Sequence, residues 1–85
     1  MKQVTIFLKT PLFAVKGEVD SVPPNAIIIE GEVVGDSKGG IHIQTTAYFS
    51  LESISPSKQE RKKLKGGVKQ LIIPFGKIDH IRIND

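Results

Sequence analysis

The chain contains no cysteine, which excludes a disulfide staple and a thiolate metal site. No apolar run approaches the ~20 residues of a membrane-spanning helix. The opening MKQVTIFLKTP is too short in apolar residues for a signal peptide. The expectation is a soluble cytoplasmic protein with no membrane partner. Histidine is scarce too: His42 and His80 stand without a Cys or carboxylate cluster at ligand spacing, so no metal is expected. No nucleophile sits beside a plausible base. Asp79 and His80 are neighbours on an expected strand, where successive side chains face opposite ways, so a dyad is not expected. The stretch Gly35 to Gly40 carries Lys38 but lacks the spacing of a phosphate-binding loop. The reading is a protein that is not an enzyme and needs no cofactor.

Eighty-five residues make one domain, with neither an internal repeat nor a linker. A chain this short buries roughly 60–65% of its unfolded surface, which is marginal for a lone core. A small all-β domain without staples gains stability by joining other subunits, which also covers its strand edges.

The net charge is +3 and the isoelectric point is near 9.3. The excess is local. Ser57 to Lys69 holds six basic residues (Lys58, Arg61, Lys62, Lys63, Lys65, Lys69) against Glu60, a net of +5, and the rest of the chain is −2. Such a run raises encounter rates with polyanions; the plainer alternative is a solvated loop that aids solubility.

Apolar residues recur with the period of strands. Val4, Ile6 and Leu8 alternate with Thr5, Phe7 and Lys9. Phe13, Val15, Gly17 and Val19 alternate with Ala14, Lys16, Glu18 and Asp20, with Gly17 where a bend or bulge favours glycine. Ala26 to Val34 and Ile41 to Ile54 read as one long hairpin around the turn Asp36 to Gly40. On the second arm Ile41, Ile43, Thr45, Ala47, Phe49 and Leu51 fall on one side. Glu30 and Glu32 share a face and read as a solvent-facing pair. The basic stretch after Ser55-Pro56-Ser57 has capping-box spacing at Ser57 and Glu60, but Leu64 is its one apolar residue. A helix with nothing to bury is weak, so residues 55–69 read as a basic, flexible insertion with at most one helical turn. Val68 to Ile73 and Ile78 to Ile83 are the closing strands, parted by Pro74, which cannot donate to a ladder. Strands this close together in sequence pair antiparallel.

The order of these pieces resembles a known family. Val4-Thr5-Ile6-Phe7-Leu8, then Gly17-Glu18-Val19-Asp20-Ser21, then Ala26-Ile27-Ile28-Ile29 is similar to the first motif of Sm-like (LSm/Hfq-like) proteins. Gln70-Leu71-Ile72-Ile73-Pro74-Phe75-Gly76-Lys77-Ile78-Asp79-His80-Ile81 resembles the second motif, a strand, a tight turn and a short last strand. The likeness covers residues 4–29 and 70–83. It implies an all-β fold: a strongly bent, five-stranded antiparallel Sm-like (SH3-like) small barrel, with 1–85 as a single Sm-like domain. It also implies a homo-oligomeric ring of five to seven subunits, in which the strand ending at Ile73 pairs with the strand Ile78 to Ile83 of the next copy. Single-stranded RNA is the ligand the family implies.

The departures are specific. Only Met1, Lys2 and Gln3 precede the first strand, so the usual N-terminal helix is expected to be absent. Pro23 stands where the family carries a base-contacting aspartate, and Asn25 lies near but not at the asparagine position. The second turn reads Pro74-Phe75 or Phe75-Gly76 instead of Arg-Gly or Lys-His, and the connection between the third and fourth family strands is much longer. RNA needs cations for phosphate and flat faces for bases. In a ring the turns Ser21 to Asn25 and Pro74 to Lys77 would face the pore. Phe75 is then the candidate to stack on a base, Lys77 to pair with phosphate and Asn25 to read a base edge. The alternatives are a core-capping or subunit-packing Phe75 and a solvated Lys77. Lys58, Arg61, Lys62, Lys63 and Lys65 are the candidates for non-specific phosphate contacts. The expected function is an Sm-like ring that binds RNA or acts as an RNA chaperone with an altered base pocket. A protein–protein assembly module is the alternative from another class, and a monomeric SH3-like barrel is a third.

Overall fold

A strand that alternates apolar and polar residues turns one face to the core, and β1 (Gln3–Leu8) does so with Val4, Ile6 and Leu8, while Thr5 is buried on the other face. The computed structural model describes residues 2–11, 25–66 and 70–84. The expected strand from Phe13 to Asp20, with Gly17, lies outside the described residues, as do Ser21, Pro23, Val68 and Lys69. The remaining strands are β2 (Ile28–Ser37), β3 (Gly40–Ser55), β4 (Lys58–Leu64), β5 (Gln70–Pro74) and β6 (Ile78–Ile83). A 3-10 turn, Phe75–Lys77, joins the last two. No helix among these residues is long and apolar enough to cross a membrane.

The strands form one six-stranded sheet in the order β4-β3-β2-β1-β6, with β5 paired to β3 as well. Every pairing is antiparallel. Five strands were expected, and the described residues alone supply six, because Lys58–Leu64 is a strand and not a loop or a helical turn. Long β3 serves two partners on its far side: Gly40 to Gln44 pair with β5, and Tyr48 to Ser55 pair with β4. Val4, Ile6, Leu8, Ala26, Ile29, Ile43, Tyr48 and Ile73 make one buried cluster, with Leu64, Leu71, Ile78 and Ile81 packed against it. Residues of all six strands therefore meet around a single core. Each aliphatic side chain fully buried there contributes about 1.5–3 kcal/mol.

The β2–β3 hairpin is present, but its alternation is broken. Ala47 lies opposite Glu30 and Thr45 opposite Gly31, so Thr46 is an extra residue, a β-bulge. One extra residue exchanges the faces of everything beyond it. Ile43 and Thr45 are buried before the bulge, and Tyr48 is buried after it. Phe49 and Leu51, expected on the side of Ile43, therefore stand on the opposite face. Gly31 permits this geometry: a Cβ there would come within 2.3 Å of the Gln44 carbonyl oxygen. At the hairpin tip Gly39 has φ of 87°, a conformation that favours glycine.

Tyr48 is almost wholly buried, at 1% exposure. Its hydroxyl shares a hydrogen bond of 2.5 Å with Thr45 Oγ1, so the bulge brings these two buried polar groups together. Burial pushes the Tyr48 phenol above its ordinary pKa of 10.0, against a smaller lowering by the Thr45 hydrogen bond.

Two measurements check these points. Gly31→Ala is expected to lower stability to denaturant by about 2–3 kcal/mol, as overpacking does. Gly35→Ala, where a Cβ meets nothing within 4 Å, is expected to change it by less than about 1 kcal/mol. A phenol whose pKa is raised by folding stabilises the fold while neutral. That contribution is fully present below tyrosine's ordinary pKa and is lost as pH rises from there through the elevated value. Denaturant titrations of wild type and Tyr48→Phe above pH 10 are expected to show that loss in wild type alone.

Candidate nucleic-acid interface

β4 carries the sequence KQERKKL, which has no apolar alternation to announce a strand. It forms as β3 continues past the core to Ser55 and offers its edge to the returning chain. Ser55-Pro56-Ser57 turns the chain back, and register runs from Ser55 opposite Lys58 to Tyr48 opposite Leu64. Leu64 anchors the inner end on the core. Residues 51–63 are exposed throughout. The result is a two-stranded ribbon that extends beyond the core and displays the basic residues at fixed spacing.

The ribbon sorts its charges by face. Arg61 is opposite Leu51 and Lys63 opposite Phe49, so these two cations share the face that carries Phe49. Lys62, opposite Ser50, is on the reverse face, where its Nζ lies 3.3 Å from Glu52 Oε1. Lys58, Lys63 and Lys65 are exposed and make no ion pair among the described residues.

Arg61 reaches further than its neighbours. Its guanidinium carbon lies 5.5 Å from the centre of the Phe49 ring and 5.7 Å from that of Phe7. One guanidinium nitrogen is 3.7 Å from Glu30 Oε2. Arg61 thus links β4 to β3, β2 and β1 in a single contact group. Beneath it Ile28, in register with both Phe7 and Phe49, is buried to 2% exposure. On the other side of Phe7 the His80 ring stacks at 4.2 Å between centroids and 11° between planes. Arg82, two residues on, brings its guanidinium carbon to 5.9 Å from Phe7. Two aromatic rings, an imidazole and two arginines therefore share one face of the sheet.

Asp79 and His80 do make the contact that strand alternation forbids. His80 Nδ1 and Asp79 Oδ2 are 2.8 Å apart. The reason is a second irregularity: His80 pairs with Phe7 and Ile78 with Leu8, which leaves Asp79 as an extra residue. A bulge re-aims side chains, and both Asp79 and His80 face solvent.

Of the other expected site residues, Phe75 and Lys77 share one 3-10 turn. Asn25 lines an open cleft of 360 Å³ with Pro11, Ile27, Ser50, Leu51 and Glu52, at the end of β2 where Ile27 N–H donates to the Phe49 carbonyl. Phe75 is at the other end of β2, its N–H donating to the Gly39 carbonyl. Its side chain is 51% exposed, so it does not cap this core. The Lys77 side chain is exposed in the turn, while its carbonyl accepts from Lys9 N–H. Glu30 and Glu32 lie along one face as expected, but each has a partner: Arg61 for Glu30, and Gln3 Nε2 at 3.0 Å for Glu32. His42 Nε2 is 3.1 Å from Gln70 Oε1. Among the described residues no group of three or more His, Cys, Asp or Glu is placed to hold a metal ion.

Arg61→Ala removes two ring contacts, each worth about 0.5–1 kcal/mol, and a half-exposed ion pair of little further value. It is expected to lower stability by about 1–2 kcal/mol. Lys63→Ala is expected to change it by less than about 0.5 kcal/mol. Denaturant midpoints of the two variants make the comparison.

Compared with known proteins, the chain matches no family model, no curated protein and no solved structure.

Proposed function

We propose that this chain is a small Sm-like barrel protein that binds single-stranded RNA through the basic ribbon and the aromatic face beside it, and that it assembles into a homo-oligomeric ring. One observation carries the binding reading. The basic residues are set on a strand whose Arg61 lies over the rings of Phe7 and Phe49. Cations for phosphate next to flat rings for bases is the combination that sequence-tolerant single-strand binders use. The ring reading draws on the strand, 3-10 turn, strand order of residues 70–83. It also draws on the edges: among the described residues β4, β5 and β6 each have one paired neighbour. Lysines on β4 disfavour self-pairing at that edge. That leaves β5 and β6 for contact between copies, a heterologous pairing that closes a ring when the rotation permits.

Assembly with a different protein is the second reading. Ile72, Phe75 and Ile83 are 59%, 51% and 59% exposed, close to the same two edges, and would suit an apolar partner surface.

Light scattering at micromolar concentration is expected to give a mass several times 9.3 kDa; a monomer would end the ring reading. Affinity for oligouridine is expected to fall steeply with salt. Substituting Lys58, Arg61, Lys62, Lys63 and Lys65 together with alanine should abolish binding at moderate salt. Each lost phosphate contact should flatten the log–log slope by about 0.7. No binding at low salt would remove the RNA function even from a ring. A protein partner retained by the quintuple variant would favour the second reading.

A further inference from the structure

We propose that His80 is a stacking platform for an unpaired base, held ready by Phe7 and Asp79; the inference rests on the RNA-binding reading above. Phe7 covers one face of the imidazole, nearly parallel at 4.2 Å. The His80 side chain is nonetheless 59% exposed, so its open area lies on the opposite face and the outer ring edge. A second planar ring can add to the stack there.

The imidazole is also fixed in direction. Asp79 Oδ2 lies 2.8 Å from Nδ1, and an ionised carboxylate can only accept, so Nδ1 carries the donated proton. Nε2 has no hydrogen-bond partner among the described residues and is left to meet a ligand. A ring already oriented loses little side-chain freedom when a base settles on it. The two nearby guanidiniums, those of Arg61 and Arg82, lie 5.7 and 5.9 Å from the Phe7 ring. They make the neighbourhood of the stack positive, which suits a base that carries a phosphate on either side. His80 is on edge strand β6, but its side chain stands on the sheet face, perpendicular to the edge used for strand pairing. Ring assembly through β6 therefore leaves it accessible.

The test compares a labelled oligouridine with an abasic ribose-phosphate oligomer of the same length, by fluorescence anisotropy at low salt, on the full chain. Wild type is expected to bind oligouridine more tightly than the abasic polymer. His80→Ala is expected to weaken oligouridine binding by about 5- to 100-fold, the range of one base–aromatic stack, and to leave the abasic polymer unchanged. His80→Phe keeps a flat ring and is expected to recover most of the loss, which also answers the objection that the alanine variant misfolds. The inference is overturned if His80→Ala binds oligouridine like wild type, or if His80→Phe is as weak as His80→Ala. Those results leave RNA binding intact. A wild-type protein that binds neither polymer would overturn both readings together.

Discussion

A close approach of two backbones at Gly31 governs what this sheet presents to solvent. Without a side chain there, the Gln44 carbonyl can sit where a Cβ would otherwise be, and the extra residue Thr46 is accommodated opposite. The phase change that follows sends Tyr48 into the core and Phe49 out. Had the alternation continued unbroken, Phe49 would have joined Ile43 inside, and Arg61 would have had no ring on β3 to lie against. One missing methyl group thus decides whether Phe49 joins Phe7 on the face that Arg61 covers.

The same logic recurs at Asp79. Each bulge gives up a step of the ladder and gains a side-chain direction that a regular strand denies. At Thr46 the gain is a buried hydroxyl pair, Thr45 with Tyr48. At Asp79 the gain is an oriented imidazole on the surface. Of the sheet's register shifts, these two lead to Phe7, one through Phe49 and Arg61 and the other through His80.

Much of the fold was legible in the residues. The alternation in β1, the long hairpin and the break at Pro74 are local patterns, and local patterns survive folding when the core agrees with them. β4 was not legible, because both its faces are wet and only its backbone is satisfied by pairing. The length of the run to Ile54, which outlasts any apolar need, was the available sign that a partner strand must follow. The phase change at Thr46 leaves no mark in composition beyond the glycine on the opposite strand. Of the site, Arg61 was legible as a cation within a basic run. Phe7, Phe49, His80 and Arg82 were not, since register between distant strands brings them together. Phe7, between Thr5 and Lys9 in its own alternation, was the one local hint, a large apolar ring where a polar residue was due.

β3 is a single rod of sixteen residues whose two halves live under different conditions. The half beside β5 is sealed by Ile43 and Ile73, and the half beside β4 is wet from Leu51 onward. Heat or denaturant therefore attacks the molecule from one tip. The outer half can unzip while the inner half stays closed, with Arg61 as the tooth at which the opening halts.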